Sequence, residues 1–472
     1  MAETPSKKGT RVLRRLQKHS GARRDTTVIS KIGTMRTLKQ IVCVMIEIVA
    51  FAAFLYFLIP VASEQFATAH RIGNAPSGIA DAPSEFDALT SAMHYYKNGF
   101  LKHAGLPNRA GPPGKPYDDP ADIVPVDYIY THYPPGPNWL VGLAMKIFGP
   151  KQVPLYRIFP ISFSIAGLLI TYALLRSVVG GILAAAALIT VLHFPMTTQM
   201  MHGLFFHPYA LTLVLVQMSF LFNRLGTKSR LSWRSLLLLA GMSFIQGWMS
   251  FDWAFVAMLF PLAVVSCWSS SGARREMLKA CIFSVMGFGF AHFLHFCQVW
   301  ALAPTFDHAF KDLFGAAKFR IVGEGDKIVP ENATMRVLNQ YIWTLFPSPS
   351  QGYYFSWLMP LVSVALTLAV GTLQYLKSRD VSVPRLVAPG LISVAMAILL
   401  SLLWVLVMKN HSLEQGHWLF LPRHFIVVLF SCVLVAVSEL HTCARMVMDL
   451  ITATLVWCEG RFGRKAHRIA EG

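Results

Sequence analysis

Of the 472 residues, 54% are hydrophobic and 14% are charged, where soluble globular domains carry about 25% charged residues. The chain is therefore not an ordinary soluble globule. Its net charge of +18 is concentrated: residues 1–39 hold eleven Lys/Arg against two acids, half of the excess. That is the pattern of a membrane-flanking tail in contact with anionic lipid, not of a nucleic-acid-binding surface.

In chain order, residues 1–39 read as a cytoplasmic basic tail. The apolar run Ile41–Ala62 then reads as the first membrane helix. Its apolar core is too long for a signal peptide, and no small-residue cleavage site follows it. Further apolar runs cover Tyr156–Val179, Ile182–Met201, Pro208–Phe222, Ser235–Met249, Trp253–Trp268, Ala280–Ala301, Tyr354–Leu376, Leu386–Met408 and Phe425–Leu440. Together they predict an all-α, polytopic membrane protein with about ten transmembrane helices. The domain boundaries follow: a membrane domain over 40–440, with 62–152 as a long outer first loop containing interfacial helices, and a second cytoplasmic tail over 441–472. The loops agree. Those assigned inside carry Arg224, Lys228, Arg230 and Arg234, then Arg274, Arg275 and Lys279, then Lys377, Arg379 and Arg385, while the loop over 62–138 holds five Lys/Arg and eight acids. Both termini are expected inside.

Four stretches are expected to face outward: the first loop, the turn "MHGLFFHPY", residues 302–350 and "KNHSLEQGHWLFLPRH". The inward loops are short and basic, so any chemistry belongs outside. In the first loop, Phe86, Leu89, Met93, Tyr96 and Phe100 recur at three- and four-residue steps, predicting an interfacial helix that Gly99 ends. Its start carries Glu85 and Asp87. Ser84-x-x-Asp87 matches a capping box, and the same acids suit a general base at the membrane surface. Further on, "YTHYPPGPNWLVGLAMKIFGP" predicts a helix over Asn138–Phe148, introduced by Pro134, Pro135 and Pro137 and stopped by Gly149-Pro150. At about 17 Å it is too short to cross a core of about 30 Å. This places His132 and Tyr133 at the lipid–water boundary.

The seven cysteines include no Cys-x-x-Cys pair, so neither a disulfide framework nor a thiolate metal site is expected. Histidines gather on the outward map, among them His202 and His207, but without metal-ligand spacing. Asp252, in a tight turn, suits either capping or function. Glu47, inside the first helix, is expected to be buried against protein. Asn332-Ala-Thr is a glycosylation sequon in an outer stretch.

The acid pair on an outer helix, the Gly99-Phe100 ending, and "YTHYPPGPNWLVGLAMKIFG" followed by "LYRIFPISFSIAGLL" resemble the GT-C superfamily of integral-membrane glycosyltransferases, of the protein O-mannosyltransferase and aminoarabinose-transferase type. The resemblance covers residues 40–260. It implies transfer of a hexosyl or pentosyl group, with inversion, from a polyprenyl-phosphate donor to a lipid, glycan or protein acceptor on the periplasmic face of an inner membrane. It implies a first-loop carboxylate as base: Asp87, with Glu85 second. Aminoarabinose transferases have Lys where this chain has Tyr133, so the phosphate contact falls to His132, Arg157 or Arg423, with Tyr133, His202 and His207 as further substrate-binding candidates. The acid-x-Asp order resembles the oligosaccharyltransferase branch, which allows a divalent metal, although the sequence requires no cofactor. The alternative reading is a transporter or flippase of lipid-linked saccharides. It would call for mid-membrane charges and an inverted repeat, and the sequence displays no repeat. A non-catalytic scaffold is a third reading.

Overall fold

The structure is a computed structural model. It describes residues 26–74, 82–108, 129–194, 197–198, 200–227, 230–250, 271–322, 332–345, 358–378 and 383–470. The predicted run Trp253–Trp268, Asp252, and the side chains of 414–424, Arg423 included, lie outside the described residues. The chain divides into two compact units, residues 1–50 and 51–472. In the first, Glu47 is half-exposed rather than buried.

The elements are α1 Thr26–Ile72, α2 Ala82–Asn98, α3 Gly136–Phe148, the single turn α4 Val153–Tyr156, α5 Ile158–Val179, α6 Gly181–Leu192, α7 His207–Thr227, α8 Trp233–Met249, α9 Ser271–Leu302, α10 Phe306–Val322, α11 Ala333–Leu345, α12 Leu358–Ser378, α13 Val383–Val407 and α14 Lys409–Ala470. Among the described residues there is no strand, only an isolated antiparallel bridge between Asn108 and Ile129. Among the described residues, six helices are long and apolar enough to cross a membrane: Gln40–Ile72, Val153–Val179, Arg275–Leu302, Leu358–Lys377, Pro389–Val407 and Phe425–Thr454. The chain is an integral membrane protein, but the expected ten crossings are not reached among the described residues.

Two departures from the sequence reading have clear causes. In the run Ile182–Met201, α6 ends at Leu192, with His193 as its C-cap. Pro195 follows in the sequence, lacks an amide N–H and disfavours helix in the residue before it. At about 18 Å, α6 is too short to span. The stretch Lys409–His424, expected to be an outer loop, is instead the first part of α14.

The largest core joins α5, α6, α7 and the Ile426–Val437 part of α14. Helix α7 is buried around nearly its whole circumference over His207–Phe222, which is why it is apolar on every face. A second core joins Val337 and Tyr341 of α11, Val394 to Met408 on and after α13, and Phe425 to Val435 of α14. Helices α8 and α9 pack closely: a Cβ on Gly287 would overlap the Ala240 carbonyl, the small-residue contact common between membrane helices.

A smaller core binds the two short helices into a layer. Ala88, Leu89, Ala92 and Met93 of α2 meet Val141, Ala144 and Met145 of α3, with Val153, Tyr156 and Leu204 beneath. Helix α2 is buried from Ala88 through Tyr95, while Tyr96 is exposed. It packs against protein on several faces and is not the lipid-facing stripe that its periodicity predicts. It also begins at Ala82, so Ser84 lies inside its first turn and is not the N-cap of a capping box.

Candidate active site

Glu85, in the first turn of α2, and Arg157, between α4 and α5, are both fully buried. They form a bidentate pair: Arg157 Nη1 donates to Glu85 Oε1 at 2.8 Å and Nη2 to Oε2 at 3.0 Å. Arg157 Nη1 also donates to the His202 carbonyl at 2.9 Å, and the Leu204 amide donates to Glu85 Oε1 at 2.9 Å. His202 Nδ1 lies 2.7 Å from Gln65 Oε1 on α1. Burial, and then the Arg157 guanidinium, push the His202 imidazole down to about 4, with Glu85 opposing, so it is neutral at pH 7. The network ties α2, the start of α5, the 200–206 link and α1 together. A buried pair is tolerable only when its remaining donors and lone pairs are engaged, and here both carboxylate oxygens are.

Asp87 follows two residues later, about 200° around the helix, so it faces away from the Arg157 pair. It is half-buried. Ser91 and His94 share its side of α2 at i+4 and i+7. The Ser91 hydroxyl donates to the Asn108 carbonyl at 3.1 Å. Below it, the chain turns through three left-handed residues, His103 (φ 57°), Ala104 (φ 54°) and Gly105 (φ 80°). Two non-glycine residues in that region are strained. The turn is held from three elements: Gly105 O accepts from Tyr95 Oη at 2.9 Å and from Trp139 Nε1 at 2.7 Å, and Ala104 O accepts from Gln298 Nε2 at 2.9 Å. Burial raises the Tyr95 phenol well above its usual value, so it remains a donor. A Cβ on Gly105 would lie 2.8 Å from the Trp139 ring.

His132 and Tyr133 occupy a different place. The Tyr133 ring stacks between those of Tyr130 and Phe206, with centroids 5.8 and 5.9 Å away. The buried His207 ring meets the edges of Phe205 and Phe206 at 4.5 and 4.1 Å. His132 Nε2 lies 3.6 Å from Asp312 Oδ1 on α10. The neighbouring His132 imidazole holds the Asp312 carboxyl below its usual value, against a burial effect in the other direction. One residue earlier, the Thr131 carbonyl lies 2.8 Å from His295 Nε2 on α9. The structure therefore does not gather the predicted residues into one site. Glu85, Arg157 and His202 form one centre, with Asp87 on the far side of its helix. His132 belongs to a second centre with His292, His295 and Asp312, and Tyr133 and His207 lie in the aromatic packing around Phe206. Sequence reasoning missed Gln65, His292, His295 and Asp312. The i, i+3 pair His292/His295 near one end of an apolar run was the available signal.

The acid-x-Asp order does not fit a divalent metal in this geometry. Both Glu85 oxygens are committed to Arg157, and Asp87 points elsewhere. No group of three or more His, Cys, Asp or Glu with metal-holding geometry occurs among the described residues.

These features define a polytopic α-helical membrane protein with a two-helix layer fixed on its membrane helices. No family model and no curated protein matches the sequence. Among solved structures, the chain is similar to ArnT from Cupriavidus metallidurans bound to undecaprenyl phosphate, with TM-score 0.50 and 11% identity over 82% of this chain and 59% of that one. The apo structure of the same ArnT gives TM-score 0.34 at 13% identity, over 84% and 78% of the two chains. The Archaeoglobus fulgidus oligosaccharyltransferase in complex with Zn and sulfate gives 0.38 at 10%, over 85% and 51%. The chain thus spans about three-fifths of the ArnT chain whose fold it shares. The likeness to ArnT bound to undecaprenyl phosphate is one of fold.

Proposed function

We propose that the chain transfers a sugar from a polyprenyl-phosphate carrier to an acceptor hydroxyl or amine on the outer face of the membrane, as a GT-C-type glycosyltransferase. The observation that carries this reading is the setting of Asp87. It stands on a short helix clamped by a buried bidentate ion pair, on the side away from that clamp, in a fold shared with an ArnT solved with undecaprenyl phosphate. Asp87 is the base. The acceptor heteroatom attacks the anomeric carbon, the bond from that carbon to the phosphate oxygen breaks, the lipid phosphate leaves with the electron pair, and the acceptor proton passes to the Asp87 carboxylate. Attack opposite the leaving group inverts the anomeric centre, and the sugar is a hexose or pentose. Glu85 and Arg157 are positioning residues, because neither exposes an atom to a substrate in this arrangement.

Asp87→Asn is expected to lower transfer by about 10²-fold or more, while the protein still inserts and purifies normally. Transfer from a radiolabelled polyprenyl-phosphate sugar by purified enzyme measures it. Full activity in Asp87→Asn removes the assignment. The orientation has its own test. Reporter fusions at Gly114 and Ser229 should report opposite sides of the membrane, with residues 1–39 and 441–472 inside; a shared side overturns the outer placement.

A further inference from the structure

Besides the second centre, whose His132, His292, His295 and Phe314 line a largely apolar cavity of about 340 Å³, the α2–α3 layer carries a surface of another kind. Where the end of α2 meets α3, four large apolar side chains are exposed: Tyr96, Leu101, Leu143 and Ile147. Four exposed lysines accompany them: Lys97, Lys102, Lys146 and Lys151. The Phe100 ring joins the two helices. It stacks on Tyr95 at 5.1 Å, and the Lys146 ammonium lies 5.0 Å over its centroid. Leu143 and Ile147 share with Lys146 the face of α3 opposite its buried Val141, Ala144 and Met145.

A chain of rings marks the height of this surface. Phe290 and Phe293 are exposed on α9, within the span Arg275–Leu302 that is long and apolar enough to cross a membrane. Phe290 lies 5.8 Å from Phe244 on α8, and Phe244 stacks on Trp248 at 6.1 Å. Trp248 meets Trp139 edge-on at 5.6 Å, and Trp139 meets Phe100 at 6.1 Å. Helix α3 starts directly on the end of α8: a Cβ on Gly136 would overlap the Trp248 carbonyl. Aromatic rings gather where hydrocarbon gives way to head groups. The rings thus lead from a lipid-facing helix surface to the layer, and the lysines stand at their far end. There the aliphatic stems lie along apolar surface and the ammonium groups reach the phosphates.

We propose that this face of the layer is a docking surface for anionic glycerophospholipids of the adjoining leaflet, with Leu101, Leu143 and Ile147 entering the interfacial zone and Lys97, Lys102 and Lys146 holding lipid phosphates. A lysine cluster beside membrane helices selects anionic over zwitterionic head groups, because the cation of a zwitterion offsets the attraction. The occupant is membrane phospholipid and not a reacting lipid: the side chains are exposed, and Asp87 stands about 15 Å before Lys97 along α2. The consequence is mechanical. The Glu85–Arg157 pair holds the start of α2, and the leaflet holds its end, so the height of the layer is set by the membrane itself. This goes beyond the sugar-transfer reading and does not rest on it.

The test titrates the full chain, in non-ionic detergent, with dioleoylphosphatidylglycerol or dioleoylphosphatidylcholine, and counts bound lipids by native mass spectrometry. Phosphatidylglycerol is expected to bind at least about fivefold tighter, the scale for one lysine beside an anionic surface, and added salt should weaken that preference. The variant Lys97→Gln/Lys102→Gln/Lys146→Gln should bring the two lipids close to equal and leave phosphatidylcholine binding unchanged. All three lysines are exposed, so the variant does not depend on the core. Arg234 and Arg275 are exposed at the opposite ends of α8 and α9. Loss of the preference in Arg234→Gln/Arg275→Gln, with the lysine variant unaffected, places the anionic lipid there and overturns the proposal. Equal binding of the two lipids by the wild type also overturns it. So does displacement of phosphatidylglycerol by inorganic phosphate at the same concentration, which marks a free-anion site. Leu101→Ser/Ile147→Ser should weaken both lipids alike; unchanged binding of both overturns the insertion. In nanodiscs of phosphatidylcholine alone, the lysines should react freely with a neutral acetylating ester; protection there means that protein covers them and removes the docking surface. None of these readouts needs turnover, so an inactive Asp87→Asn protein should give the same lipid preference.

Discussion

The two centres differ in how they treat polar atoms. Around Glu85 and Arg157 the side chains are fully buried, and each carboxylate oxygen has a partner on another element. Around His132 the contacts are longer and half-exposed: the His132–Asp312 approach is 3.6 Å, with 42% and 39% of the two side chains accessible. A closed network with both carboxylate oxygens engaged fixes geometry and leaves a ligand little room. An open, apolar cavity with titratable groups at one end fixes little and leaves room for a ligand. On this comparison, the residues most readily picked as catalytic by charge and burial are those that hold the layer in place.

The largest effect on stability should come from the closed centre. Arg157→Leu leaves Glu85 buried without its counter-charge and should cost about 3–5 kcal/mol. The double change Glu85→Met/Arg157→Leu should recover most of that loss, because burying no charge is cheaper than burying one. At the open centre, Phe314→Ala removes an exposed ring and should shift stability by only about 0.5 kcal/mol. Chemical unfolding in detergent compares the three. Equal losses at Arg157 and Phe314 would erase the distinction between the centres.

Acid should act on the closed centre at milder pH. The folded site holds His202 at about 4 against an ordinary 6.5. Between those values the unfolded chain binds a proton that the folded site refuses, so stability rises with pH across the window and is lost on acidification, fully below about 4. Asp312 has the depressed carboxylate's dependence: its contribution is present above its ordinary value of 3.8 and disappears only at lower pH. Melting temperature measured from pH 7 to 4 should therefore fall in the wild type and fall less in His202→Gln, which keeps a neutral side chain opposite Gln65. Parallel curves would count against a buried neutral His202.

The smallest effect concerns the strained turn between the two centres. Trp139→Phe removes one of the two side-chain donors to Gly105 O. It should cost about 1 kcal/mol and leave transfer nearly intact. A loss as large as that of Arg157→Leu would make this turn, rather than the ion pair, the main clamp of the layer.

Hydropathy, charge pattern and turn chemistry determined much of this protein. They fixed the membrane class, the short helix behind Pro134-Pro135-Gly136-Pro137, and the acid-bearing helix that stops at Gly99, because each depends on local periodicity or on a residue that cannot do otherwise. The motifs also pointed to the fold that the ArnT likeness supports. What sequence could not decide was which polar residues meet. Arg157 lies 72 residues from Glu85, His202 lies 137 from Gln65, and His295 lies 164 from the Thr131 carbonyl. No local pattern encodes such pairs, and the apolar runs that bring them together look alike in composition. Tertiary packing decided which of Glu85 and Asp87, two residues apart in sequence, meets Arg157. A helix turns them to opposite sides, and only the arrival of Arg157 on one side made Glu85 part of the scaffold.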